Sequence, residues 1–394
     1  MTASIPAAAA PESPVPDEIR PAPPGPMDHV KSVPPTDLAL VMREVVKRSG
    51  KSYLAQAREI WKLYLGHGGV TPFEYFYYNL YDDDLTLEQK KAFVGKKLRT
   101  KVTNHVLDDY YYGFGLDKIA FYACMKGLGL PIPETRALFH PSRFLDKSAS
   151  LRSAAEFEAY LRLPEHYPFF SKPADATASL GAASADAYHK DSDELELANG
   201  ARFTVAHFVS EAARYFNRGY LIQERLRPHP EIERITGKCL STVRVLVLAD
   251  EGAPQIIRAT WRVPVGNQYA DVHWRGNLMA AIDVESGAVH RVVRGSGLDR
   301  AEVDVHPQSG IRLLGHTLPM WPSIRETTLR AAAALPNLQL MGWDVSITDQ
   351  GPVLIELEPD GGETSVTQLA SGQGLLDGPY GEFLEHRKAK KKRA

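Results

Sequence analysis

The densest chemistry in the chain lies in MGWDVSITDQGPVLIELEPDGG, residues 341–362. Two apolar runs joined by an Asp-Gln-Gly turn read as a β-hairpin. Glu356 and Glu358 are i, i+2 on its second strand and project from one face, and the hairpin brings Asp344 of the first strand opposite them. Three carboxylates converging in an apolar hairpin repel unless a cation neutralises them. A divalent metal is the expected occupant; a solvent-facing acidic side is the bland alternative. Upstream, Lys118 opens a helix after Gly115, and Lys172 ends a strand in FFSKPADATASLGA. The small residues 174–183 behind Lys172 can approach an anion with their backbone N–H groups.

The strand YLIQERL sets Gln223 and Glu224 among apolar residues, where a polar group must be satisfied. Glu224 can accept from an adenine amino group, with backbone near Leu226 as the hinge contact and Glu231, seven residues on, placed for a ribose. Arg244 in STVRVLVL and Arg262 in ATWRVPV are charges in apolar strands. They suit an anionic substrate or a transferring phosphoryl group; structural ion pairs with carboxylates are the competing account. His273, Arg275 and Asn277 in DVHWRGN could line the same opening, with no catalytic role for His273.

The elements that must position these groups follow from pattern. Residues 1–35 are Pro/Ala-rich and read as a disordered tail. Leu38, Val41, Met42 and Val45 repeat at helical spacing, as do Leu54, Ala57, Trp61, Tyr64 and Leu65. Thr86 and Gln89 form a capping box for a third helix to about Leu98. The aromatic run Phe73–Tyr81 reads as core. A helix covers Asp117 to about Leu128, and a strand Thr135–Phe139. Hairpins close at Asn199-Gly200, Asp250–Gly252, Ser286-Gly287 and Gln350-Gly351, with a helix over Val205–Phe216. Hairpins make the sheets mostly antiparallel, an α+β pattern. The basic run Arg387–Arg393 reads as a frayed, solvated tail.

Composition excludes more than it assigns. The 394 residues carry a formal net charge of −2, with 44% hydrophobic and 24% charged residues. That balance is ordinary for a globular protein and gives no global argument for nucleic acid or a membrane surface. Two cysteines make no disulfide framework or zinc site. No apolar run reaches the roughly 20 residues that span a bilayer. There is no secretory leader pattern and no GxxxxGK[ST] phosphate loop. The cytoplasm is the expected compartment; oligomeric state is not readable.

Taken in order, DKIAFYACMKGLGLPIPET, SKPADATASLGA, LIQERLRPHPEI, STVRVLVL, DVHWRGN, the HPQSG to LPMW stretch and GWDVSITDQGPVLIELE resemble the ATP-grasp superfamily. Over about Asp117 to Gly362 the chain is most similar to its sugar-transfer-associated branch, related to α-L-glutamate ligase-like proteins. The spacing KPxxxxxSxG and the separation of Glu224 from Glu231 also resemble the D-alanine–D-alanine ligase pattern. The resemblance implies that Lys118 and Lys172 contact ATP phosphates and the adenine side, and that Ser179 and Gly181 belong to a phosphate-covering loop. Gln223, Glu224 and Leu226 would meet adenine and Glu231 the ribose. Asp344, Glu356 and Glu358 would hold Mg²⁺, with Mn²⁺ as a substitute. Arg244 and Arg275 would steady the γ-phosphate or the acyl-phosphate formed from it, and Arg262 joins them as a catalytic candidate from its place in an apolar strand. Two positions depart from the pattern: Glu358 stands where many members have Asn, and Gly276-Asn277 where Gly-Gly is usual.

The expected fold is α+β: an ATP-grasp fold over 116–380, preceded by a helical domain over 36–115 and followed by a basic tail, 381–394. Within the ATP-grasp part, 116–226 would carry the lid and adenine hinge, and 227–380 the metal and substrate. The expected function is an ATP- and Mg²⁺-dependent ligase joining a small anionic carboxylate substrate to an amine or hydroxyl, in a cell-surface sugar or peptide pathway. A small-molecule phosphotransferase and a non-catalytic nucleotide-binding protein are the alternatives.

Overall fold

A computed structural model describes Met27 and residues 37–106, 109–176, 180–250, 252–266, 276–359 and 362–391. The Pro/Ala-rich tail apart from Met27, Ser179, His273 and Arg275 lie outside these residues.

Helices come first: α1 (Leu38–Ser49), α2 (Tyr53–Leu65), α3 (Pro72–Tyr77), α4 (Leu87–Lys91), α5 (Lys96–Val106), α6 (Asp109–Leu116) and α7 (Lys118–Gly127). Asp37, Ser52, Thr71, Thr86 and Asp117 cap their helices through side-chain oxygens, so local sequence fixes most starts. The capping box of Thr86 and Gln89 forms, but the helix stops at Lys91 rather than near Leu98. The backbone there is claimed elsewhere. Gln368 takes both the N–H and the C=O of Val94 (2.8 and 3.0 Å), and Gly95 donates to Gly68. The stripe Leu54, Trp61, Leu65 of α2 points to solvent, while Gln56 and Leu63 face inward.

Two seven-stranded sheets follow. The first, ordered β2-β1-β7-β3-β4-β5-β6, uses β1 (Thr135–Phe139), β2 (Ala149–Leu151), β3 (Phe169–Pro173), β4 (Ala183–His189), β5 (Glu194–Leu197), β6 (Arg202–Thr204) and β7 (Tyr220–Glu224). Only its β1–β2 pair is parallel. Strand alternation splits its side chains. Phe139, Phe169, Tyr220 and Ile222 pack with helices α8 (Ala154–Leu161) and α9 (Val205–Ala212) and with Met27, whereas Leu138 and Leu221 meet α7.

The second sheet is antiparallel and ordered β12-β11-β10-β9-β8-β13-β14. It comprises β8 (Thr242–Leu248), β9 (Gln255–Val263), β10 (Leu278–Ile282), β11 (Val289–Arg294), β12 (Ala301–Glu302), β13 (Leu340–Thr348) and β14 (Gly351–Glu358). Helix α10 (Pro230–Thr236) joins the two sheets in sequence, and α11 (Trp321–Ala333), α12 (Thr364–Ser371) and α13 (Pro379–Lys391) complete the chain. Val243, Val245, Trp261, Trp343 and Val345 face one core with α7 and α11. On the opposite face, Met279, Ala281 and Val293 share a core with α1, α3 and α12. Beside it, Leu246, Leu248 and Leu340 pack on α5 and α13. Tyr380, Phe383 and Leu384 of α13 are buried there, so the segment that leads into the basic run Arg387–Arg393 is a packed helix.

Candidate active site

A cleft of about 1320 Å³ opens between the two sheets. Single small-molecule pockets are roughly 300–1,000 Å³, so it has room for two reactants. Lys118, Lys172, Gln223, Glu224 and Leu226 line it from the first sheet and α7; Arg244, Arg262, Asp344, Glu356 and Glu358 line it from the second.

Sheet register explains the second group. Arg244 of β8 pairs with Asp344 of β13, which pairs with Glu356 of β14, so one row of side chains crosses three strands. Alternation puts Val243, Val245, Trp343 and Val345 into the core and this row on the other face. Arg244 Nε and Nη2 donate to the two oxygens of Asp344 at 2.5 and 2.9 Å, and Arg262 Nη1 donates to Oδ2 at 3.2 Å. Burial alone would raise the Asp344 pKa, but the two guanidiniums outweigh it and hold the carboxyl below its ordinary value. The same pairing lifts Arg244 further above its ordinary range against the opposing effect of burial.

Pattern reading missed Glu363. Its carboxylate lies 3.1 Å from Arg244 Nη1 and 2.5 Å from Arg262 Nη2, so it bridges the two guanidiniums. The bridge depends on a close backbone crossing: a Cβ on Gly342 would lie 2.5 Å from Gly362 Cα. Glu363 itself takes a left-handed φ of 55°, uncommon for a residue with a side chain, immediately before α12. A glycine followed by a charged residue at a helix start was the available signal. Arg99 of α5 and Gln308 also line the cleft without having been singled out.

From the opposite wall, Lys118 Nζ donates to Ala176 O (2.7 Å) and lies 3.5 Å from Glu356. Lys172 Nζ reaches Ile355 O (3.4 Å) and sits over the Tyr122 ring, while Tyr122 donates to the same carbonyl at 2.8 Å. Burial depresses the Lys172 pKa, opposed by Glu356 and Asp344. Both lysines therefore bridge the cleft to β14. Glu224 Oε1 accepts from the Glu134 N–H (2.8 Å) and Gln223 donates to Thr135 (3.3 Å), which fixes both side chains at the cleft wall.

Other expected positions have surroundings of their own. Glu231 does not line the cleft; the strand has become helix α10 by that point, and Glu231 lies 3.6 Å from His316. Gly181 lies behind the wall made by Leu180 and Ala182, against the Tyr215 ring. Among the described residues no three His, Cys, Asp or Glu side chains are grouped to hold an ion; of the three expected carboxylates, Asp344 is paired with Arg244 and Arg262 and Glu356 lies 3.5 Å from Lys118. Asn277 is buried and accepts from the Val265 N–H at 2.8 Å, a structural task.

A model of the family described as sugar-transfer associated ATP-grasp matches residues 99–378, a span that contains both sheets, the cleft and α12. The chain belongs to this ATP-grasp family. Its fold is the ATP-grasp fold with a helical region ahead of it. No curated protein matches the chain in sequence. Among solved structures it is similar to an ADP complex of the N5-carboxyaminoimidazole ribonucleotide synthetase purK (13% identity, TM-score 0.36, 68% of this chain and 52% of that one). A D-alanine–D-alanine ligase from Bacillus anthracis is similar at 12% identity and a TM-score of 0.40, over 74% of this chain and 77% of that one. An L-amino acid ligase from Bacillus licheniformis is similar at 12% identity and 0.35, over 65% and 43%. This ATP-grasp chain thus spans about half the length of the synthetase and less of the amino acid ligase.

Proposed function

We propose that the chain is an ATP-dependent ligase: it binds ATP in the cleft, phosphorylates a carboxylate substrate, and lets an amine or hydroxyl displace the phosphate. The observation that carries this reading is the opposition of Lys118 and Lys172 to Glu356 and Glu358 across one cleft, in a chain of the ATP-grasp family. Triphosphate needs cations on one side and a carboxylate-held metal on the other.

In this reading Lys118 and Lys172 hold the phosphates, and the small residues that follow Lys172, Ser179 among them, cover them. Gln223, Glu224 and Leu226 form the adenine edge. The fit to Mg²⁺ is through two carboxylates, not three. Mg²⁺ is commonly held by one or two carboxylates together with substrate phosphates, and Glu356 and Glu358 supply those on a common strand face. Bound there, Mg²⁺ would neutralise charge on the phosphates. Arg244 and Arg262 face the space beyond and would steady the anionic carboxylate and the acyl-phosphate; the catalytic work is positioning and charge neutralisation.

The test is product analysis with ATP, Mg²⁺ and panels of carboxylates and amines. ADP, phosphate and an amide or ester product support the ligase. ADP with a stable phosphorylated product makes the chain a phosphotransferase. Binding of ATP without ADP release for any acceptor leaves a nucleotide-binding protein.

A further inference from the structure

The apolar stripe of α2, legible in sequence from its helical spacing, faces outward. Leu54 is 61% exposed, Trp61 65% and Leu65 57%. At about 100° per residue these three share one line along the helix. Tyr53 and Tyr64, both exposed, border the line on one side; Arg58 and Lys62, also exposed, border it on the other. Lys97 of α5 adds a third cation, its ammonium 4.6 Å above the Tyr64 ring. The helix has one acidic residue, Glu59, and it is turned inward to Lys51, Lys90 and the Tyr75 hydroxyl. The outer face is therefore apolar at its centre, aromatic on one edge and purely cationic on the other.

We propose that this face of α2 is a docking surface for an anionic membrane, on which the helix lies flat with Trp61, Leu54 and Leu65 in the headgroup boundary. The charge pattern selects this occupant. Arg58, Lys62 and Lys97 match anionic lipid, and tyrosine and tryptophan place an apolar ring and a polar atom where an interface offers both. Self-association through the same face would set like charges against each other, which is unfavourable. A single helix whose exposed apolar residues lie along one line suits a planar partner. No helix among the described residues is long and apolar enough to cross a membrane, so the contact is peripheral.

The test uses the full chain and flotation with vesicles of phosphatidylcholine plus phosphatidylglycerol, against vesicles of phosphatidylcholine alone. The wild type should float with the anionic vesicles and lose them at high salt. Trp61→Ser/Leu65→Ser should weaken partitioning by at least about tenfold, since two buried apolar side chains are removed. Arg58→Gln/Lys62→Gln should weaken it on the anionic vesicles alone. Unchanged melting temperatures show that these variants are folded. Failure of the wild type to float with either vesicle overturns the proposal. So does flotation that Trp61→Ser/Leu65→Ser leaves intact, or a solution dimer that this variant dissolves.

Discussion

Arg244 and Asp344 stand opposite each other on neighbouring strands and form a two-pronged pair, with 2% and 8% of their side chains exposed. An ion pair this deep repays its desolvation only through near-ideal geometry. Here Arg262 and Glu363 extend it to four charges, two of each sign. Asp344 thus meets two guanidiniums at once and fixes where Arg244 and Arg262 stand on the cleft wall.

Removing either partner should be costly. Arg244→Met or Asp344→Asn alone leaves a buried charge short of its partner and should lower stability by ~3–5 kcal/mol. The double variant should cost less than the sum, because the second change removes the charge the first left stranded. Urea denaturation of the four proteins checks this; strict additivity would show that the two side chains are energetically independent.

The pair also carries a pH signature. The Asp344 carboxyl is held below its ordinary value in the folded state. The unfolded chain therefore takes up the proton first as the solution is acidified. The stabilisation is fully present above the unfolded carboxylate value of about 4 and fades as pH falls through the lower folded value. Stability curves of the wild type and Asp344→Asn should therefore lie apart at neutral pH and converge below about pH 4. Curves separated by a constant gap down to strong acid would contradict the assignment.

Much of this was legible in sequence because it is local. Hairpin turns at Asn199-Gly200, Ser286-Gly287 and Gln350-Gly351, caps such as Asp117, and the alternation around Asp344 and Glu356 each depend on a few neighbours. What failed depends on distant chain. Nothing near Glu363 shows that Gly362 crosses Gly342, which is what brings the glutamate to two arginines. Nothing near Val94 shows that Gln368 takes its backbone groups. The stripe on α2 was legible as an apolar face, but helical periodicity shows that a face is apolar, not what covers it.

Glu356 should separate metal-dependent from metal-independent binding. If it holds Mg²⁺ against the phosphates, Glu356→Gln removes the charge while keeping the shape. ATP should then raise the melting temperature of the wild type more with Mg²⁺ than without, and the variant should lose that increment. Lys118, 3.5 Å away, loses its nearest carboxylate in the variant, so metal-free ATP should bind no worse. An undiminished Mg²⁺ increment in Glu356→Gln would remove this residue from the metal site.

Lys172 is the cation most exposed to pH in this reading. Its ammonium is buried over the Tyr122 ring, and burial draws its pKa below the ordinary lysine value near 10.4. A triphosphate prefers the charged form, so affinity for ATP should fall as pH rises through the depressed value, earlier than an ordinary lysine would allow. Lys172→Arg keeps its charge throughout this window and should flatten the dependence, even if the larger head lowers affinity overall. Titration calorimetry with ATP from pH 7 towards 10 gives both curves. If Lys172→Arg falls in parallel with the wild type, the titrating group lies elsewhere, and Lys172 is a packing residue that ties β3 to Ile355 rather than a phosphate contact.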